Sequence, residues 1–194
     1  MDSRLLAWGH ATARRLGRSA LPVLWLFTDT ERLPDPCPAA ARLPRGIAGV
    51  VLRHDSHPAR AAIGRDLARI CRIRRLALVV AGDVRLAAAL GAGVHLRGGR
   101  WPGPLRRGGL ITSSAHSVRD IVRARRAGAV LAFLSPVFPT ASHKGERALG
   151  VCRWARFAAR APLSVAALGG IEGQSVRRLP RARCGGAGAI GALA

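Results

Sequence analysis

A polar turn that follows an apolar segment is the first candidate functional site of this sequence. Residues 130–138 are apolar, and residues 139–145 then supply two hydroxyls, an imidazole and an ammonium group. Donors of this kind at the carboxyl end of a buried strand are typical of anion sites in α/β barrels. The side chains concerned are those of Thr140, Ser142, His143 and Lys144, the single lysine of the chain.

A pair of glycines at the end of a second apolar segment is the other candidate anion site. Residues 163–168 are apolar and lead directly into Gly169 and Gly170. Because glycine has no side chain, the backbone amides of this turn can approach a phosphate closely. The two turns together predict a protein that binds a phosphorylated small molecule.

The composition is that of a single globular domain with an unusual charge. The chain has 194 residues, of which 49% are hydrophobic, and its formal net charge is +22. A charge of this size fits a basic nucleic-acid-binding protein, which we keep as an alternative. However, the basic residues are mostly arginines spread along the whole chain, which favours a compositional bias over a dedicated polyanion site.

The cysteine and hydropathy patterns predict a reduced, cytoplasmic protein. Cys37, Cys71, Cys152 and Cys184 form no C-x-x-C pair, and their spacing matches no zinc pattern. No apolar run reaches the roughly 18 residues that a membrane-spanning helix needs, so we expect no membrane partner. The sequence leaves the oligomeric state open, a homo-oligomer included.

Short apolar segments alternate with helical patterns along the chain. Nearly continuous apolar runs are typical of parallel strands that are buried on both faces. Eight such strands with helical crossovers predict an α/β fold, a (β/α)8 TIM barrel of one domain, with a doubly wound open sheet as the alternative. The predicted strands cover residues 23–28, 46–53, 76–81, 93–96, 110–114, 130–138, 163–168 and 187–192.

Two of the intervening helices have recognisable start signals. Ser56 and Pro58 predict the start of a helix whose apolar positions recur with helical spacing. Ser117 and Asp120 form a capping-box-like start of another helix, which Gly128 ends. Further helices are predicted over residues 84–91, 151–161 and 174–179.

The predicted barrel departs from a regular one at its fourth and eighth helices. Residues 97–109 contain two prolines and five glycines, so we expect a loop in place of the fourth helix. The eighth helix is likewise reduced or absent. Residues 3–16 predict an amphipathic helix that covers this bare face. The predicted organisation is an N-terminal helical extension over residues 1–21 and a barrel over residues 22–194.

Six short motifs, in this order, resemble the thiamine phosphate synthase family, which includes the TenI-like thiazole tautomerases. The resemblance extends from about residue 24 to the end of the chain. The motifs are Leu-Phe-Thr-Asp at 26–29, Gly-Val-Val-Leu-Arg at 49–53, Gly-Ala-Gly-Val-His-Leu at 91–96, Ser-Ala-His-Ser at 114–117, residues 135–140, and Ala-Leu-Gly-Gly-Ile at 167–171.

The resemblance implies a (β/α)8 enzyme of thiamine biosynthesis. Such a transferase couples hydroxymethylpyrimidine diphosphate to a thiazole phosphate and releases diphosphate. The alternative that the resemblance implies is a catalytically altered, TenI-like relative that binds or isomerises a thiazole phosphate, or regulates the pathway. For that alternative, the position of the tautomerase's catalytic histidine is Pro136 here.

The resemblance also implies which residues bind phosphate, although it assigns no catalytic residue. Positions that match the family's diphosphate contacts are Arg53 and Ser114. Those that match its thiazole phosphate contacts are Thr140, Ser142, Gly169 and Gly170, with backbone amides near Gly188. His143 aligns with a family lysine, and Lys144 lies one residue later, so either can supply positive charge.

Mg²⁺ is the cofactor that the resemblance implies, but the family's ligands are largely missing. The third strand usually ends in an Asn-Asp pair, of which the aspartate binds Mg²⁺, and these positions are Ala81 and Gly82 here. Asp83 lies one residue late and is the remaining candidate ligand, while the position of a second magnesium aspartate falls near Arg100. Without carboxylates, Mg²⁺ lacks the hard oxygen ligands it prefers. We therefore expect either that arginines such as Arg97 neutralise diphosphate directly or that the coupling reaction is lost.

Overall fold

Eight parallel strands close into a barrel in the computed structural model, which describes residues 1–17, 21–100, 102–103, 109–140 and 147–194. Each strand pairs in parallel with the next, and the last returns to pair with the first. The prediction of a (β/α)8 barrel is thereby confirmed, and the doubly wound alternative is wrong. The strands are β1 (Leu24–Phe27), β2 (Ala48–Leu52), β3 (Ala77–Ala81), β4 (Gly93–Leu96), β5 (Ile111–Ala115), β6 (Leu131–Leu134), β7 (Ser164–Ala167) and β8 (Gly186–Ala189).

The sixth strand is much shorter than the apolar run that predicted it. β6 ends at Leu134, and residues 135–138 continue as a buried turn. This turn is tied to the turn after β7, since the N–H of Val137 donates to the carbonyl of Leu168 at 2.9 Å and that of Phe138 to Gly169 at 3.1 Å. The additional apolar residues therefore hold two functional turns together rather than extend the sheet.

Aromatic side chains fill the interior of the barrel. Phe133 packs edge-on against Trp25 and Phe27, with ring centroids 5.5 and 4.8 Å apart. Glycines on neighbouring strands provide the space for these rings. A Cβ atom at Gly49 would lie 2.6 Å from the Trp25 ring, and one at Gly188 would lie 2.7 Å from the Phe27 ring. The barrel is therefore a packed core with no central channel, as in other barrels of this size.

Six α-helices accompany the barrel in the part of the chain that the structure describes, and a second core lies between them and the outer face of the sheet. Among the described residues between β4 and β5 there is no helix, and β8 leads only into a 3₁₀ turn, Gly191–Leu193, so both reduced positions are as predicted. None of the helices in the described part of the chain is long and apolar enough to span a membrane. The helices are α1 (Ser3–Leu16), α2 (Cys37–Arg42), α3 (Arg60–Arg74), α4 (Val84–Ala89), α5 (Val118–Arg126) and α6 (Gly150–Ala159).

The helix signals of the sequence were right for α5 and wrong in two other places. The hydroxyl of Ser117 accepts from the N–H of Asp120 at 3.2 Å and donates to its carboxylate at 2.9 Å, which is the predicted cap of α5. Ser56 does not cap α3, because the helix begins only at Arg60. Residues 174–179 form just one 3₁₀ turn, Val176–Arg178, and Pro180 prevents its extension towards the C-terminus.

Helix α1 covers the outside of the barrel where β8 lacks a helix of its own. Asp2 joins the two ends of the chain, because its N–H donates to the carbonyl of Ala192 at 2.8 Å and its carboxylate accepts from the N–H of Gly173 at 2.7 Å. On the inner face of α1, Leu5 and Trp8 are buried. The amphipathic helix predicted over residues 3–16 thus forms and packs on this face.

We expect Leu5→Ala to lower the free energy of unfolding by about 2–5 kcal/mol, the usual cost of removing a buried leucine side chain. Leu5 is 0% exposed, whereas Leu16 of the same helix is 36% exposed and serves as the matched control. Leu16→Ala should change stability by less than about 0.5 kcal/mol. Urea unfolding followed by circular dichroism measures both values. An effect of Leu5→Ala as small as that of Leu16→Ala would mean that α1 does not pack on the barrel.

Candidate functional site

Two adjoining cavities open at the carboxyl ends of the strands. The first has a volume of about 350 Å³ and is lined by the polar side chains of Arg53, Asp55, His95, Arg97, Ser114 and His116. The second is smaller, about 140 Å³, and is lined largely by the backbone of the turns after β6, β7 and β8. Phe27, Arg53, Ser135 and Leu168 line both cavities. The two cavities therefore form one site with two differently built halves.

Arg53 stands where the two cavities meet, and a buried hydrogen-bond network fixes its backbone. Its N–H donates to the hydroxyl of Thr28 at 2.9 Å, and this hydroxyl also lies 2.9 Å from Nδ1 of His54. Nε2 of His54 lies 3.2 Å from the carbonyl of Pro34, which can only accept. Nε2 therefore carries the hydrogen, and the Thr28 hydroxyl donates to Nδ1.

The charge of Arg53 is available to an anion. Among the described residues, no carboxylate forms an ion pair with its guanidinium. It therefore offers an uncompensated cation to both cavities.

The second cavity is built on the glycine pair after β7. Gly169 and Gly170 have φ values of +89° and +63°, a region that other residues rarely adopt. They also pack tightly on the turn after β6, since a Cβ at Gly169 would lie 2.7 Å from Cα of Pro136 and one at Gly170 would lie 2.6 Å from the carbonyl oxygen of Pro139. Their own N–H groups donate to no other residue in the described ranges. Backbone donors of this kind suit a phosphate.

The predicted phosphate-binding residues divide between the two cavities. Arg53 and Ser114 line the first, and the hydroxyl of Ser114 accepts from the N–H of Gly98 at 3.0 Å. The second cavity is lined by Thr140, Gly169, Gly170 and Gly188, and also by Arg53. Ser142, His143 and Lys144 lie outside the described residues, so their predicted roles stay predictions.

The first cavity contains an ionic network rather than a cage of oxygen ligands. Asp55 binds the guanidinium of Arg97 at 2.5 Å and that of Arg60 at 3.2 Å. Asp83, the remaining candidate ligand for Mg²⁺, accepts from the N–H of Leu86 at 2.9 Å and so caps α4, and its other oxygen lies 3.5 Å from Arg60. Both carboxylates are therefore occupied by cations or by backbone.

These residues do not fit Mg²⁺. The ion needs several oxygen ligands at close range, whereas arginines surround Asp55 and Asp83. No group of three or more histidine, cysteine or acidic residues that could hold a metal is found in the described part of the chain.

Three further residues at the site lie in the motifs of the sequence but were not assigned to phosphate binding, because an apolar side chain or a single histidine does not by itself indicate a phosphate site. Phe27 ends β1 and forms an apolar wall between the two cavities, and Leu168 follows β7 in the same role. His116 follows β5, and its Nδ1 donates to the carbonyl of Ser135 at 3.0 Å, which places its ring on the rim. Position at or just after a strand end is the signal that could have found them.

His95 is a buried neutral base beneath the first cavity. It is 3% exposed, its Nδ1 lies 2.9 Å from the hydroxyl of Thr112, and its ring packs edge-on against Phe27. Burial, reinforced by the positive charges of Arg53 and Arg97, lowers its pKa from 6.5 to about 3. His95 therefore supports the floor of the cavity without adding charge.

Comparison with known proteins finds similarity to thiamine phosphate synthases. The family model described as thiamine monophosphate synthase (TMP-TENI) matches residues 27–193. The thiamine-phosphate synthase of Geobacillus kaustophilus is 32% identical over 143 residues, which cover 69% of this chain and 63% of that protein. The thiamine biosynthesis bifunctional protein ThiED of Geobacter sulfurreducens is 30% identical over 125 residues, which cover 61% of this chain and 26% of that protein. The matches thus span less than two thirds of the length of either relative.

A similar fold occurs in the thiamine phosphate pyrophosphorylase from Pyrococcus furiosus. The two structures align with a TM-score of 0.72 and 24% sequence identity, over 89% of this chain and 87% of that one. This likeness supports the barrel architecture.

We expect His95 to make the protein less stable as the pH falls through 6.5, its ordinary pKa. Below that pH the unfolded chain binds a proton that the folded protein excludes until about pH 3. By pH 5 the loss should be about 2 kcal/mol, because one pKa unit corresponds to about 1.4 kcal/mol.

The measurement is the free energy of unfolding at pH 7.5 and pH 5 for the wild type and His95→Gln. The wild type should lose about 2 kcal/mol more than the variant over this interval. His10→Gln, at an exposed histidine of α1, should follow the wild-type curve. Parallel curves for the wild type and His95→Gln would contradict the burial of a neutral imidazole.

Proposed function

We propose that this chain, which belongs to the thiamine monophosphate synthase family, couples hydroxymethylpyrimidine diphosphate to a thiazole phosphate and releases diphosphate. The observation that carries this proposal is the pair of adjoining cavities that meet at Arg53. The first offers the guanidinium groups of Arg53 and Arg97 to a departing diphosphate. The second adds the backbone amides of Gly169 and Gly170 to the arginines Arg32 and Arg53, as a bound monophosphate needs. A reaction that joins two phosphate-bearing substrates requires both.

The proposed reaction depends on electrostatic stabilisation rather than on a strong base. The bond between the pyrimidine methylene carbon and the diphosphate oxygen breaks, and its electron pair leaves with the diphosphate. The thiazole nitrogen then donates its lone pair to the methylene carbon and forms the new C–N bond. Negative charge accumulates on the leaving diphosphate, beside Arg53 and Arg97. The apolar wall of Phe27 and Leu168 suits the two heterocycles at the junction of the cavities.

The size of the first cavity agrees with this assignment. Its volume of about 350 Å³ lies within the roughly 300–1,000 Å³ that is usual for small-molecule sites. Both substrates are small phosphorylated metabolites, and we propose that the reaction takes place in the cytoplasm.

A TenI-like relative that binds a thiazole phosphate without coupling it is the second candidate. The observation that favours it is the ion pair between Asp55 and Arg97, which partly neutralises the positive charge that the first cavity offers to a departing diphosphate. Pro136 at the position of the tautomerase's histidine gives no support to isomerisation.

The decisive experiment incubates the purified protein with both substrates and measures thiamine phosphate by chromatography. We expect product in amounts that exceed the enzyme concentration. Binding of thiazole phosphate without product would favour the second candidate. Retention on DNA that falls steeply with salt, without either of these activities, would instead favour the nucleic-acid alternative.

We expect Gly169→Asp to weaken the binding of thiazole phosphate by about tenfold or more relative to Gly169→Ala, which corresponds to at least about 1.4 kcal/mol of charge repulsion. Both variants place a Cβ against Pro136 and force the same backbone strain, so only the aspartate adds a negative charge. Calorimetric titration measures both affinities. An equal loss in the two variants would show that phosphate does not lie beside Gly169.

A further inference from the structure

The side chain of Arg97 lies over the backbone of Gly82 in the first cavity. A Cβ atom built on Gly82 would lie 3.2 Å from Nε and 3.4 Å from NH2 of Arg97. Gly82 is the position at which the resemblance expects a metal-binding aspartate. Its φ of +66° also disfavours most side chains. A longer side chain at residue 82 would therefore require Arg97 to shift from this position.

The charges around Arg97 oppose a dication. Besides Arg97, the cation of Arg53 lines the cavity, and Arg60 lies behind the lining residue Asp55. The carboxylates of Asp55 and Asp83 are engaged with Arg60 or Arg97. Guanidinium groups are permanently charged and bind phosphate oxygens with two parallel hydrogen bonds. Of these groups, Arg53 and Arg97 line the cavity and can offer positive charge to a diphosphate.

The arginines differ in how freely they can reach a ligand. Arg60 is held in place, because it donates to the carbonyl of Ala81 at 2.6 Å and only 14% of its side chain is exposed. The side chain of Arg97 is 59% exposed and is held by Asp55, which is itself 41% exposed. A solvent-accessible pair of this kind is weak, so an anion with two phosphoryl groups can displace Asp55 from Arg97.

We propose that the first cavity binds diphosphate through Arg97 and Arg53 without a divalent metal ion, and that Asp55 is the internal anion that the diphosphate displaces. This inference rests on the proposed function for the identity of the ligand, but its test needs only inorganic diphosphate. After displacement, Asp55 keeps its contact with Arg60, so no carboxylate is left without a partner. The cavity thus exchanges one anion for another.

Calorimetric titration of inorganic diphosphate, once in EDTA and once in excess Mg²⁺, tests the proposal directly. We expect binding in EDTA, and no gain in affinity with Mg²⁺. Affinity that rises by about tenfold or more with Mg²⁺, or no binding in EDTA, would overturn the proposal.

Two variants test the roles of the pair itself. Arg97→Gln should weaken the binding of diphosphate in EDTA by about tenfold, and Asp55→Asn should strengthen it several-fold because the competing anion is removed. Arg69→Gln is the matched control, because Arg69 is exposed and pairs with Asp66 at 3.0 Å on α3, away from both cavities. An Arg97→Gln variant that binds as Arg69→Gln does would overturn the assignment.

The outcomes separate this proposal from the proposed function. Diphosphate bound in EDTA by a protein that makes no thiamine phosphate would support the metal-free site and contradict the coupling reaction. Product formed only when Mg²⁺ is present would support the coupling reaction and contradict the metal-free site.

Discussion

Packing of the aromatic rings inside the barrel is the constraint on which the rest of the structure depends. Eight strands of four or five residues enclose too little space for large side chains from every strand. That space is filled by the rings of Trp25, Phe27 and Phe133. The neighbouring strands have glycines, Gly49 and Gly188, at positions where even a methyl group would collide with a ring. The interior is thus closed below the strand ends, and ligands can be held only above it.

This filled interior also shapes the site. Phe27 is the uppermost ring of the packed core and a wall of both cavities, so the same side chain serves stability and binding. His95 packs against that ring and stays neutral, since its burial and the nearby arginines both disfavour a proton. The polar groups that bear charge are consequently confined to the turns, where water and ligands reach them.

The two cavities of the site offer an anion different kinds of hydrogen-bond donor. The turns after β6 and β7 are bound to each other through backbone hydrogen bonds, which leaves the amides of Gly169 and Gly170 as uncharged donors. In the first cavity the donors are mainly side-chain cations, which the carboxylate of Asp55 partly neutralises. We infer that this division suits one ligand that stays bound through a monophosphate and one whose diphosphate must leave.

The sequence by itself determined the architecture. Apolar runs of the right length, alternating with helical patterns, predicted all eight strands, because burial on both faces of a parallel strand requires such runs. The cap at Ser117 and the amphipathic helix over residues 3–16 could also be predicted from the sequence, because both depend on residues that are close together in the chain. The strand ends also identified the turns in which Arg53, Ser114, Gly169 and Gly170 lie.

Only the tertiary structure decided how the charged residues of these turns are paired. Asp83 reads as a metal ligand in the sequence, but its carboxylate caps α4 and also contacts Arg60, and Asp55 joins Arg97 from a turn that is far away in the chain. The side chain of Arg97 lies over Gly82 for the same reason. The ionic partner of such a side chain depends on which strand ends become neighbours when the barrel closes. The spacing of residues along the sequence does not show which strand ends these are.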